Sequence, residues 1–183
     1  MQVVNPLQEV NPLFKISTPI PFGEVQAEHV RPAIRRLVDE AQLRIEAIAS
    51  CQEPRTYANT LGALDSVTEE LDYASSVIQH LENVVSTPEL RQAWNEAQPL
   101  VSEFYSRIPL LAGLWTALKE YEATPEARAL NGVRGRFLKK TIDSFRRHGA
   151  DLEAAGKKRL AEIDVELSVI CTRFAQSVLD ATA

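Results

Sequence analysis

Metal and nucleophile chemistry needs His, Cys or carboxylate side chains at particular spacings, and this chain offers few candidates. Its three histidines are His29, His80 and His148. None stands in His-Glu-x-x-His, the spacing that puts two imidazoles on one helix face around zinc. His29 follows Glu28 in a proline-bounded first turn and reads as a capping or packing residue. His80, flanked by Ile78 and Leu81, reads as a partly buried hydrogen-bonding residue, and His148 belongs to a helix end. Cys51 and Cys171 are far apart in sequence, and neither has the neighbouring His or basic cluster that activates a thiolate; Arg173 is a lone cation beside Cys171. There is no Gly-rich phosphate loop and no Ser in a nucleophile elbow. Glu69-Glu70 is an ordinary acidic pair on a helix surface. The expectation is a chain with no catalytic, cofactor-binding or metal-ligating residue of its own.

The elements around these residues follow from composition. At 183 residues, 45% hydrophobic and 25% charged, the chain has the make-up of one globular domain rather than of a disordered segment. It has no apolar run of the ~18 residues a membrane span needs. Met1 to Leu13 lacks the basic and apolar regions of a signal peptide, so a cytoplasmic protein with reduced cysteines is expected. The net charge of −5 is mild. The basic excess concentrates between Arg134 and Arg159, where it reads as a solvated helix face; a nucleic-acid surface would want more net charge and interleaved aromatics.

Almost every apolar pattern repeats at three and four residues, so the fold class is all-α, built of antiparallel helical hairpins. Residues 1–25 are an extended segment punctuated by Pro6, Pro12 and Pro19, and 26–183 form the helical domain. Helix one is expected over 27–50, with Pro32 in its first turn and a stripe of Val30, Ile34, Leu37, Ala41, Ile45 and Ile48. Helix two runs over 59–85, unbroken, on Leu61, Leu64, Val67, Leu71, Ala74, Ile78, Leu81 and Val85. Thr87-Pro88-Glu89 carries an N-cap, a proline and an acid, and starts helix three. Pro99 should kink or split it. Pro109 begins a short helix to Tyr121. Thr124-Pro125-Glu126 starts helix five, with a stripe of Leu130, Val133, Phe137, Ile142 and Phe145, closed by Gly149 in the left-handed cap position. Helix six runs from 153 to the last residue on Leu160, Ile163, Leu167, Ile170 and Phe174, with Val178 and Leu179 bare at its end. Tyr57 should staple onto helix two.

Several runs, in order, resemble one family. Pro21-Phe22-Gly-Glu-Val-Gln-Ala-Glu28-His29-Val30-Arg-Pro32-Ala33 is similar to the opening of the oligopeptidase A and thimet oligopeptidase family of zinc metallopeptidases. Arg55-Thr56-Tyr57-Ala-Asn59-Thr60 resembles its entry to a second helix. His80-Leu-Glu-Asn83 through Pro88-Glu89, followed by Trp94-Asn95 and Pro99, resembles its next hairpin. Asp143-Ser-Phe145-Arg146-Arg147-His-Gly149 and Arg173-Phe174 through Asp180-Ala181-Thr182 resemble later segments. The resemblance spans roughly 14–182. It implies the N-terminal helical part of an enzyme that degrades short peptides in a deep channel, one wall of which these helices supply. Zinc, on the family pattern, is held by residues much later in a complete chain, so no residue here inherits a metal or catalytic role.

Two functions follow as expectations. The first is the N-terminal domain of a cytoplasmic zinc oligopeptidase, inert alone, whose partners are its own catalytic domain and short peptides. The alternative is a stand-alone helical binding module without catalytic activity. On either reading no nucleic acid or membrane is involved, and the bare end of helix six would favour a homodimer of the isolated domain.

Overall fold

The computed structural model of the chain describes residues 11–85 and 87–182; beyond Leu160 some side chains of the last helix lie outside that description. Asn5-Pro6 and the side chains of Val178 and Leu179 are outside it. Among the described residues there are eight α-helices and no strand. They are α1 (Ala27–Ser50), α2 (Gly62–Ser66), α3 (Glu69–Val84), α4 (Pro88–Arg107), α5 (Ala112–Glu122), α6 (Pro125–Ala129), α7 (Gly132–Arg147) and α8 (Ala154–Thr182). The all-α expectation holds.

The helix α1 is the element on which the others pack: α3, α4 and α5 all lie against it. Its stripe is buried at every expected position, Val30, Ile34, Leu37, Ala41, Ile45 and Ile48, with Ala33 in addition. Each aliphatic side chain taken from water contributes about 1.5–3 kcal/mol, which is why a helix with one such face organises its neighbours. Pro32 is not in the first turn. The helix begins at Ala27, so the ring sits one turn further in, on the exposed side, where the carbonyl it leaves unpaired can meet water.

The single long helix expected over 59–85 is three pieces. A π turn over Tyr57–Leu61 leads into α2 through a hydrogen bond from the Gly62 N–H to the Tyr57 carbonyl. Glycine is needed there, because a Cβ at 62 would meet the Tyr57 ring at 2.9 Å. The second break is at Thr68, whose φ of −105° and ψ of 2° leave the helix. Glu69, Glu70 and Asp72 follow in the first turn of α3, where acids suit the positive end of the dipole. The break was hidden because the stripe continues in phase across it: Leu61, Val67, Leu71, Ala74, Ile78 and Leu81 are all buried. Val85 falls off the stripe and is exposed.

Thr87 caps α4 as expected, its hydroxyl accepting from the Leu90 N–H at 3.2 Å. Pro99 does not split this helix, which continues from Pro88 to Arg107. The ring is exposed and removes one hydrogen bond on the wet side, while Trp94, Ala97 and Phe104 keep the buried side packed. The expected helix five does break. The short α6, capped by Thr124, ends at Leu130 and Asn131, both extended, and Gly132 restarts the chain with φ of +55°. Val133 is therefore 85% exposed, and Leu138 takes a place in the core beside Ile142 and Phe145. The other end of α7 follows the expected cap. Gly149 has φ of +87°, its N–H bonds to the Arg146 carbonyl, and the Ala150 N–H reaches the Phe145 carbonyl at 3.0 Å. Those two bonds define a Schellman closure.

The segment before α1 is laid against the body by two 3₁₀ turns, Pro12–Phe14 and Phe22–Glu24. Leu13 is buried, Asn11 donates from Nδ2 to the His29 carbonyl at 2.8 Å, and the Arg36 guanidinium lies 4.3 Å from the centre of the Phe14 ring.

A further link ties α1 to α3: Arg44 donates to both carboxylate oxygens of Glu70, at 2.7 and 3.2 Å. Those hydrogen bonds hold the Glu70 carboxyl below its ordinary range, against an opposing effect of burial, and hold Arg44 above its own. A carboxylate depressed in the folded state contributes stability that is present above its unfolded value, about 4.3, and lost as pH falls through the folded value. The stability difference between the wild type and Glu70→Gln, measured by urea unfolding, should therefore shrink as pH drops below that value. A difference that stays constant or grows toward acid would contradict this. At Gly149, a Cβ would meet Leu160 at 2.6 Å and strain a left-handed backbone. Gly149→Ala should cost about 1–2 kcal/mol, whereas Gly23→Ala, with nothing within 4 Å of the added carbon, should cost far less. Equal melting temperatures for the two variants would show the cap is not strained.

Candidate functional site

The histidines go to separate structural tasks. The His29 Nδ1 accepts from the Gln26 N–H at 3.1 Å, completing a reciprocal cap with the Gln26 side chain at the start of α1. The His148 Nδ1 bonds to the Ser144 carbonyl at 2.7 Å in the last turn of α7. His80 is exposed rather than partly buried, its ring centre 5.1 Å from that of Phe22. Among the described residues no three His, Cys, Asp or Glu come together in a way that could hold a metal ion. Cys51 lies half-exposed at the end of α1 and Cys171 is exposed on α8.

The residues that do converge sit at the C-terminal end of α1. Arg55 donates from Nη1 to the Ile48 carbonyl at 2.7 Å, from Nη2 to the Ala49 carbonyl at 3.5 Å, and from Nε to the Glu120 carboxylate of α5 at 2.9 Å. A cation at the negative end of a helix satisfies carbonyls that otherwise have no partner. Its side chain is only 10% exposed, while Glu120 is half in water. Next to it Thr56 and Asn59 cap each other reciprocally, and Asn59 also donates from Nδ2 to the Pro54 carbonyl at 2.9 Å. The Tyr57 N–H donates to Glu126 at the start of α6 at 3.0 Å, and the Arg134 guanidinium of α7 lies 4.6 Å from the centre of the Tyr57 ring. Tyr57 is thus a junction between segments more than a staple on the next helix. An open depression of about 720 Å³ lies beside this junction, lined by Cys51, Gln52, Arg55, Gly113 and Glu120 among others.

A second concavity of about 220 Å³ runs between α1 and α4. Val38, Ile45, Leu100 and Phe104 supply apolar lining, and Arg35, Asp39, Glu103 and Arg107 supply charges of both signs. No nucleophile stands beside a base here. The groove offers apolar contact flanked by charges of both signs.

The far end of the body is tied by aromatic and charged contacts. The Trp115 Nε1 donates to Asp151 at 2.9 Å, its ring stacks on Phe145 with centres 6.0 Å apart, and Arg146 reaches Asp151 at 3.7 Å and Glu122 at 3.6 Å. Between α3 and α4, the Tyr105 hydroxyl donates to the Asp72 carboxylate; burial first and that bond second push the phenol well above its ordinary value. Neither Arg55 nor Tyr105 was marked by spacing alone. The signal for Arg55 was its place in the run Arg55-Thr56-Tyr57-Ala-Asn59, where every polar residue proves to satisfy a backbone group.

Removing the Arg55 head group while keeping its length tests this junction. Arg55→Met leaves the Ile48 and Ala49 carbonyls without their donor and Glu120 without its ion pair, and should cost about 1.5–3 kcal/mol, read as a lower urea midpoint with unchanged slope. A midpoint within error of wild type would show that the carbonyls find water as readily as the guanidinium.

The comparisons with known proteins agree with this architecture. The family model described as Neurolysin/Thimet oligopeptidase, N-terminal domain, matches residues 24–158. A probable cytosolic oligopeptidase A of Arabidopsis thaliana is 31% identical over 172 residues, covering 94% of this chain and 24% of that protein. Oligopeptidase A of Haemophilus influenzae is 29% identical, with 94% and 25% covered, and an organellar oligopeptidase A of Arabidopsis thaliana is 30% identical, with 94% and 22% covered. The chain therefore spans about a quarter of the length of the relatives it matches. With the model matching well over half of its residues, the chain belongs to the neurolysin and thimet oligopeptidase N-terminal domain family.

Proposed function

We propose that this chain acts as the N-terminal helical domain of a zinc metallo-oligopeptidase that degrades short peptides, and that it supplies one wall of the channel in which they lie. The observation that carries the reading is the family match over 24–158 together with coverage of only about a quarter of each relative. The working unit on this reading is 26–183, preceded by the segment 1–25, of which the described part from Asn11 onward lies against it through Leu13. The α1–α4 groove suits a wall: apolar lining for side chains and charges of both signs for a peptide's ends. Among the described residues no three His, Cys, Asp or Glu come together to hold a metal ion; on this reading the metal and the hydrolytic step are those of a catalytic domain, and no chemical step is assigned to this chain. A cytoplasmic setting goes with the cytosolic relative, although another relative is organellar. Among the described residues no helix is long and apolar enough to cross a membrane.

The test is a chimera in which this chain replaces the matching segment of the Haemophilus influenzae oligopeptidase A. Chelator-sensitive cleavage of a short peptide is expected at a rate comparable to the parent enzyme. A folded, zinc-loaded chimera that leaves peptides intact would overturn the channel-wall role. The isolated chain should neither retain zinc on elemental analysis nor cleave the same peptide. Stoichiometric zinc with cleavage would assign the chemistry to this chain after all.

A further inference from the structure

We infer that the α1–α4 groove reads the order of charge along a peptide. It takes a short extended segment in which an acidic and a basic side chain stand two residues apart, the acid against Arg35 and the base against Asp39. The inference rests on the channel-wall reading and deepens it by naming the class of peptide this wall selects. Helices α1 and α4 run side by side in one direction. Arg31 joins Glu96 at 3.6 Å before the groove opens, and Ile45 and Leu111 line its other end. Between them Val38 of α1 and Leu100 and Phe104 of α4 supply an apolar floor.

The charges on the rim are not equivalent. Glu103 and Arg107 of α4 pair with each other at 3.5 Å. On α1, Arg36 and Glu40 stand one turn apart and pair at 2.7 Å. Arg35 and Asp39 have the same spacing and both line the groove, yet among the described residues neither enters an ion pair. Two opposite charges that leave each other unpaired present a dipole to whatever lies between α1 and α4. One helical turn advances about 5.4 Å, and alternate side chains on one face of an extended chain are about 6.6 Å apart. An acidic and a basic side chain at that separation therefore reach Arg35 and Asp39 together. The side chain between them points the other way, toward α4, where Leu100 and Phe104 favour an apolar group. A segment carrying two charges of one sign finds one match and one clash. A hydrolytic centre takes its substrate in one chain direction, so the reversed order sets like against like twice. The occupant that satisfies both rim and floor is an acid–apolar–base segment in a single order.

The chimera with the Haemophilus influenzae enzyme tests this, with circular dichroism to check that each variant keeps its helix content. The probes are ten-residue peptides that carry Glu-Leu-Lys, Lys-Leu-Glu or Gln-Leu-Gln at each position in turn. The readout is the ratio of KM values for the two charged orders. Any preference of the catalytic domain enters that ratio equally in every variant, so only a change between variants reports on the groove. Exchanging the two charges, Arg35→Asp with Asp39→Arg, should shift the ratio about fivefold or more at the position that fills the groove. The neutralised variant, Arg35→Gln with Asp39→Asn, should fall between. The kcat values should stay within error, because the groove binds ground state and transition state alike, and the neutral peptide should be cleaved equally by all three. A ratio unchanged by the exchange at every position would overturn the inference and leave the channel wall standing, since the neutral peptide is still cleaved. A folded, zinc-loaded chimera that cleaves none of the peptides would overturn the channel-wall reading and this inference with it.

Discussion

The body of this domain depends on one face of one helix. Val30, Ala33, Ile34, Leu37, Ala41, Ile45 and Ile48 run the length of α1, and α3, α4 and α5 are held because they bury their own stripes against it. A helix with three others packed along one face must keep its polar residues on the rest of its surface. Arg36 and Arg44 do so and make use of the constraint, one lying over Phe14 in the N-terminal segment and the other gripping Glu70 on α3. The N-terminal segment has little core of its own and is ordered by what α1 offers it: a carbonyl for Asn11 and an apolar site for Leu13.

The same constraint explains why the polar junction forms where α1 stops. Its last carbonyls end beside α5, partly buried, and Arg55 satisfies them from the following loop. Once Arg55 is fixed, the chain after it is aligned for the Thr56–Asn59 cap, and Tyr57 reaches α6 and α7 through Glu126 and Arg134. The run that resembles the family's entry to a second helix thus joins α1 to the later half of the domain. Its residues are specified by backbone carbonyls and N–H groups, which accept few substitutes. That is the physical reason such a run can be recognisable without doing chemistry.

What the sequence made legible sorts along the same line. Features that depend on near neighbours were plain: the α1 stripe, the Thr87 and Thr124 caps, the Gly149 closure, the His29 cap. Features that depend on a residue's surroundings were not. Thr68 ends a helix only because its backbone departs where three acids can start the next, and an apolar stripe that stays in phase gives no sign of it. Asn131-Gly132 is a turn-favouring dipeptide, but the apolar stripe spaced across it masked that signal; Gly132 takes positive φ, turns the chain and exposes Val133. Pro99 does not split its helix. A proline costs a helix most where the freed carbonyl is buried, and Pro99 faces water, so α4 tolerates it. The site shows the same division: the local roles of His29 and His148 were readable, whereas the exposure of His80 against Phe22 and the Arg55 and Tyr57 contacts, which involve residues 65 and 69 positions away, needed the fold.

The last helix shows how far a stripe can be trusted. Its three-and-four stepping is as regular as that of α1, yet one stripe is core and the other is open to solvent. The difference lies in the turn before it. The Schellman closure at Gly149 fixes the direction in which the chain leaves α7, and Leu152 and Leu160 pack over that glycine, so α8 departs with only its first turns against the body. Periodicity states that a helix has an apolar face; the connection states whether that face can return to its own core.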